Sequence, residues 1–150
     1  MIPAGLSRET KIRRDARGRW FDGDEPIGHP GIEKAFDRWI DRADDGRYVL
    51  KNSVNWAYVA IEGPPLFVRQ VVLDDDGAQL VLSDQAVERL DPSTLRQGTD
   101  GQIYCTARKG TMAAAFDRAA AMQLGAAAEG DDELMLGGQR VKVPLVEQPL

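Results

Sequence analysis

Gly18-Arg19-Trp20-Phe21-Asp22-Gly23-Asp24-Glu25-Pro26-Ile27 sets an Asp-Gly turn between aromatic and aliphatic residues, the signature of a tight β-hairpin. A helical pattern follows at once. Ile32, Ala35, Phe36, Trp39, Ile40 and Ala43 recur at the spacing of one helix face, while Glu33, Lys34, Asp37, Arg38, Asp41 and Arg42 take the other. Pro30 suits the first turn, His29 before it reads as a helix-entry residue, and Asp44-Asp45-Gly46 ends the run. A hairpin leading straight into an amphipathic helix points to a mixed fold in which strands and helices share one core.

Working towards the C-terminus, residues 48–50, 54–61 and 67–73 are rich in β-branched and aromatic side chains, and the spacing predicts one antiparallel sheet interrupted at Gly63-Pro64-Pro65. Asp74-Asp75-Asp76-Gly77 is a turn, and residues 79–82 return as its hairpin partner. Residues 84–101 read as a loop with one helical turn around Val87, followed by a strand over 102–107. Ala-rich residues 111–128 read as a second helix with Met112, Ala115, Phe116, Ala119 and Met122 on one face. Residues 134–143 close the chain as a hairpin around Gly137-Gly138. The expected fold is therefore α+β: antiparallel sheets and β-hairpins packed against two main amphipathic helices. Ala35-Phe36-Asp37-Arg38 recurs as Ala115-Phe116-Asp117-Arg118, which leaves open both chance and an internal repeat of two halves.

A chain of 150 residues with 43% hydrophobic and 29% charged composition is ordinary for a globular domain, and can bury roughly 68–70% of its unfolded surface. The net charge of −5 disfavours a general nucleic-acid binder. The charge is uneven: Arg8, Lys11, Arg13, Arg14, Arg17 and Arg19 outnumber Glu9 and Asp15 near the N-terminus, ahead of an acidic body. Residues 1–16 are accordingly expected to be a flexible basic arm, and residues 17–150 a single domain. No apolar run is long enough for a membrane span and no signal-peptide core opens the chain, so the expected location is the cytoplasm.

No catalytic constellation is legible. His29 is the only histidine, the spacing of zinc motifs is absent, and no serine sits in a Gly-x-Ser-x-Gly context. The acidic runs lack the ligand order of a calcium loop, and no phosphate-binding loop opens a helix, so neither a metal nor another cofactor is expected. Cys105 lies in an apolar run and reads as a buried structural thiol. The least ordinary stretch is Lys51-Asn52-Ser53-Val54-Asn55-Trp56-Ala57-Tyr58, where a lysine, two amides and two aromatics interrupt an apolar sheet. Lys51, Asn52, Asn55, Trp56 and Tyr58 are the candidate ligand-binding residues, against the plainer reading of a loop whose amides satisfy backbone groups. Strict alternation puts Trp56 and Tyr58 on one face and Asn55, Ala57 and Val59 on the other. Either the aromatics form a platform for a partner, or they face the core and Asn55 must find buried hydrogen bonds.

Gly18, Trp20, Phe21, Gly23, Ile27, Pro30 and Phe36, followed by Ile61-Glu62-Gly63-Pro64-Pro65-Leu66-Phe67, resemble the pattern of the bacterial family known as domain of unknown function 1285, DUF1285. The likeness is best over residues 16–75. That family's Thr-Pro-x-Glu-Lys stretch stands here as Asn52-Ser53-Val54-Asn55-Trp56, so no functional residue is carried over. The resemblance implies a compact α+β fold with repeated hairpin and helix motifs, without an established enzymatic activity and with a role in signalling or regulation. Residues and resemblance together favour a non-enzymatic module binding a small molecule or a protein partner, as a monomer or homodimer. The alternatives are a small metal-independent enzyme using carboxylates and Lys51, or a structural partner recruited through the basic arm.

Overall fold

The computed structural model of the protein describes residues 8–150, which divide between Pro65 and Leu66 into two compact units. In the first, β1 (Ile12–Arg14), β2 (Trp20–Asp22) and β3 (Glu25–Pro26) form the hairpin layer, and α1 (Pro30–Trp39) follows. Then come β4 (Ile40–Arg42), β5 (Tyr48–Lys51), β6 (Trp56–Tyr58) and β7 (Ala60–Ile61). One sheet has the order β3-β2-β1-β7 with β7 parallel to β1, and β4-β5-β6 make a separate antiparallel sheet.

Trp20, Ile40 and Leu50 are the buried centre of this unit, with Phe36, Trp39, Val59 and Ile61 packed against them. Trp20 meets Phe36 edge to face at 5.2 Å between ring centroids, and its indole Nε1 donates to Asp37 Oδ1 at 2.9 Å. The same carboxylate accepts from the fully buried Arg14 at 3.2 Å, and Arg14 Nη2 donates to the Pro64 carbonyl. A buried guanidinium is tolerable because these partners compensate its charge.

The hairpin and the helix start agree with the sequence reading, and His29 is the N-cap, its Nδ1 accepting from the Ile32 amide at 3.1 Å. The helix ends earlier than its apolar stripe implies. Ile40 fits a helical face and a strand face equally, and it leaves the helix because its backbone pairs with Leu50 while its β-branched side chain enters the core. Part of the segment expected to be a basic arm is ordered. Ile12–Arg14 is a strand held between β2 and β7, since Arg14 anchors it from within; residues 1–7 of that arm lie outside the described residues.

The second unit comprises β8 (Leu66–Asp74), β9 (Gly77–Leu82), β10 (Val87–Arg89), a 3-10 turn at Pro92–Thr94, β11 (Arg96–Gly98), β12 (Ile103–Ala107), β13 (Met112–Phe116), α2 (Arg118–Gly125), β14 (Glu133–Leu136), β15 (Gln139–Lys142) and β16 (Leu145–Val146). Seven strands form one sheet in the order β10-β9-β8-β13-β12-β11-β16, and β14-β15 is the expected terminal hairpin. Gly137 and Gly138 both have positive φ, and a Cβ on Gly137 would stand 2.8 Å from the Asp76 carbonyl oxygen.

Three expectations give way here. The strands at 48–50 and 67–73 do not share a sheet: β5 and β6 belong to the first unit and β8 to the second. Val87 lies in a strand paired with β9 rather than in a helical turn. The second helix begins only at Arg118, because Met112–Phe116 is a central strand, parallel to β8 and antiparallel to β12. Its alanines suit close approach on both sides, and backbone pairing overrides their helical propensity. The four-residue echo therefore falls on unlike elements, inside α1 in one case and across the end of β13 and the Asp117 cap of α2 in the other.

Candidate functional site

Across β5 and β6, Leu50 pairs with Ala57, whereas Val49 pairs with Tyr58 and Lys51 with Trp56. Leu50 enters the Trp20 core, so the Val49, Lys51, Trp56 and Tyr58 face points away from it. Trp56 and Tyr58 are half-buried on that face and touch edge to face, 5.2 Å apart.

Side chains distant in sequence fix the two rings. The Arg47 guanidinium carbon lies 3.6 Å from the Tyr58 ring centroid, and the Tyr58 hydroxyl donates to Asp45 Oδ2 at 2.8 Å. Arg47 also makes a two-pronged contact with Glu9, at 2.7 and 2.8 Å. Arg8 lies 4.5 Å from the Trp56 centroid and donates to Asn55 Oδ1 and the Trp56 carbonyl. The Tyr58 amide donates to the Arg8 carbonyl and Thr10 Oγ1 to the Tyr58 carbonyl, so residues 8–10 run along the β6 edge.

The electrostatics follow from these contacts. The backbone amide of Arg47 and then the Tyr58 hydroxyl hold Asp45 below its ordinary pKa. The hydrogen bond to the Asp45 carboxylate, with burial, pushes the Tyr58 phenol up. The Arg47 hydrogen bond holds Glu9 down, and Glu9 raises Arg47 in return.

A cleft of about 420 Å³ opens on this face, lined by Arg42, Asp44, Asp45, Val49, Lys51, Trp56 and Tyr58 among others. A second cavity of about 200 Å³ lies on the core side, lined by Phe36, Trp39, Leu50 and Ala57 with Asn52, Asn55 and Trp56 at its margin. The five candidate residues thus separate: Lys51, Trp56 and Tyr58 share the larger cleft, Asn52 and Asn55 the smaller cavity, and Trp56 borders both. The amides have local work. Asn52 Oδ1 accepts from the Val54 and Asn55 amides, each at 2.9 Å, closing the turn between the strands. Residues 54 and 55 lie in that turn, and Val54 is exposed.

Arg8, Glu9, Asp45 and Arg47 escaped the sequence reading. Asp45 was legible only as a turn residue, and nothing local links positions 38 or more residues apart. Among the described residues, no group of three His, Cys, Asp or Glu side chains comes together as metal ligands. Cys105 is buried and its thiol is pushed up to about 12, first by desolvation, opposite to what a nucleophile needs. No helix among the described residues is long and apolar enough to cross a membrane.

Among the described residues these features define an α+β protein of several largely antiparallel sheets and two helices, with a charged and aromatic cleft on the face of the β4-β5-β6 sheet opposite the Trp20 core. Its fold is DUF1285-like. The chain is similar to the structure of a DUF1285 family protein from Silicibacter pomeroyi, with a TM-score of 0.67 and 19% identity, over 90% of this chain and 80% of that one. It is similar also to one from Shewanella baltica, with a TM-score of 0.57 and 20% identity, over 75% of this chain and 88% of that one. At these identities the likeness carries the fold alone. No family model and no curated protein matches the sequence.

Proposed function

We propose that the protein is a non-enzymatic binding module which takes a small molecule against Trp56 and Tyr58 and serves a regulatory role. The observation that carries this reading is the direction of the aromatic pair. Both rings stand on the face opposite the Trp20 core, beside a cleft whose volume falls at the lower end of the roughly 300–1,000 Å³ common for small-molecule sites. Half-exposed aromatic rings with a few polar groups beside a cleft are what small-molecule sites commonly present. The shifts at the cleft follow from the Asp45, Tyr58, Arg47 and Glu9 hydrogen bonds, and the raised Cys105 thiol lies in a core, which favours binding over catalysis.

The test is native mass spectrometry of gently purified protein beside a thermal-shift screen of a metabolite library. A retained or stabilising compound that Trp56→Ala no longer holds, in a variant that still folds, is the expected result. Failure of every compound, or full retention by Trp56→Ala, overturns the reading.

A further inference from the structure

The cleft is lined by charges of both signs, Arg42 and Lys51 against Asp44 and Asp45. Lys51 stands across from Trp56, two residues along the ladder from the Val49 and Tyr58 pair, a distance of about 7 Å along the strands. Asp45 is fastened to the Tyr58 hydroxyl, so the acidic end, Asp44 and Asp45, lies at the other pair. Among the described residues, neither Lys51 Nζ nor the Asp44 carboxylate has a hydrogen-bond or ion-pair partner. Arg42, also in the lining, donates to the neutral Tyr48 hydroxyl at 3.0 Å and lies over that ring, which orients its guanidinium. The cleft thus offers an ammonium and a carboxylate without ion-pair partners among the described residues, beside two aromatic rings.

We propose that the occupant of this cleft is a small zwitterion, an ammonium and a carboxylate on one molecule of amino-acid or dipeptide size, with its carboxylate at Lys51 and its ammonium at Asp44. The proposal rests on the reading of this cleft as a ligand site and adds the chemistry of the ligand. A simple anion drawn to Lys51 meets the repulsion of Asp44 and Asp45, and a simple cation drawn to the aspartates meets Lys51. A molecule carrying both charges satisfies both ends. A free amino acid and a dipeptide both carry the two charges, and the titration below distinguishes them. An apolar side chain on either would cover Trp56.

The experiment is isothermal titration of the full chain at neutral pH with the twenty free amino acids and with alanyl dipeptides such as Ala-Phe and Ala-Leu. Each is compared with its N-acetylated and its C-amidated form. At least one zwitterion should bind, and blocking either end should weaken it tenfold or more. Lys51→Met should weaken the parent compound and remove the penalty for amidation; Asp44→Asn should do the same for acetylation. Both variants change exposed side chains, and melting curves check that they stay folded. Dipeptides binding without free amino acids, or the reverse, identifies the source. If blocked forms bind as well as free ones, or if only a plain acid or amine occupies the cleft in a Trp56-dependent way, the zwitterion assignment falls while the site survives. If no compound binds in a Trp56-dependent way, both fall.

Discussion

Replacing Trp56 by alanine separates a platform from a core. Trp20 is the internal standard: it is 1% exposed, packs on Phe36 and donates to Asp37, so Trp20→Ala should cost the roughly 3–5 kcal/mol of a core tryptophan. Trp56 stands on the opposite face of its sheet and has two specific partners to lose. Its edge contact with Tyr58 is worth roughly 0.5–1.5 kcal/mol, and the Arg8 stack about 0.5–1 kcal/mol at an exposed site. Trp56→Ala should therefore cost about 1–2.5 kcal/mol, below Trp20→Ala. Urea unfolding followed by tryptophan emission is suited to the measurement, because Trp20, Trp39 and Trp56 all lie in the first unit. The midpoint should move while the slope stays constant. A loss as large as that of Trp20→Ala would put Trp56 in the core and remove the physical basis of the proposed cleft.

Arg14→Met leaves the Asp37 carboxylate without its buried cation, although the Trp20 indole still donates to it; the expected loss is about 3 kcal/mol in the same urea assay, and a loss under about 1 kcal/mol would refute the pairing. Trypsin should cut slowly at Lys11, Arg13 and Arg14, because these residues flank or form β1; cleavage as fast as in the urea-unfolded chain would mean that the strand is not stably held. Cys105 should ignore Ellman's reagent at pH 8 in the folded protein and react fully in urea, its thiol being raised to about 12. Glu9 and Asp45 have depressed folded values, so their contribution is present above the unfolded pKa of about 4 and drains as pH falls through the folded ones. Tyr58 is raised, so its contribution is present below about pH 10 and is lost as pH climbs through its folded value; carboxylate NMR titration should show Asp45 returning towards its ordinary value in Tyr58→Phe.

Local chemistry was legible where one residue decides local geometry. The turn at Asp22-Gly23, the His29 cap and the positive φ of Gly137 and Gly138 need no distant partner, and the structure contains all of them. Met112–Phe116 is the opposite case. Met-Ala-Ala-Ala-Phe has high helical propensity, and a strand buried on both faces shows no alternation to set against it. What makes it a strand is its pairing with Leu66–Asp74, far away in sequence. Ile40 was ambiguous for a related reason, since one apolar residue at a helix end satisfies both periods.

The candidate site divides along the same line. Alternation puts Trp56 and Tyr58 together, but alternation alone has no sign: it cannot say which face meets the core. The sign comes from Ile40 and Leu50, whose burial beside Trp20 leaves the pairs Val49–Tyr58 and Lys51–Trp56 on the far side. Once that is set, the charges around the rings acquire places. Asp45 reaches Tyr58 across 13 residues and Arg8 reaches Trp56 across 48, spacings that correspond to no helical or strand period. Arg47 spends its charge on Glu9 and its flat face on Tyr58, whereas Lys51 is left facing the cleft without a partner among the described residues. The property that matters for binding is therefore which ions remain uncompensated. That depends on tertiary pairing, and Lys51 and Asp44 on one cleft beside two aromatic rings are the arrangement from which ligand chemistry can be argued.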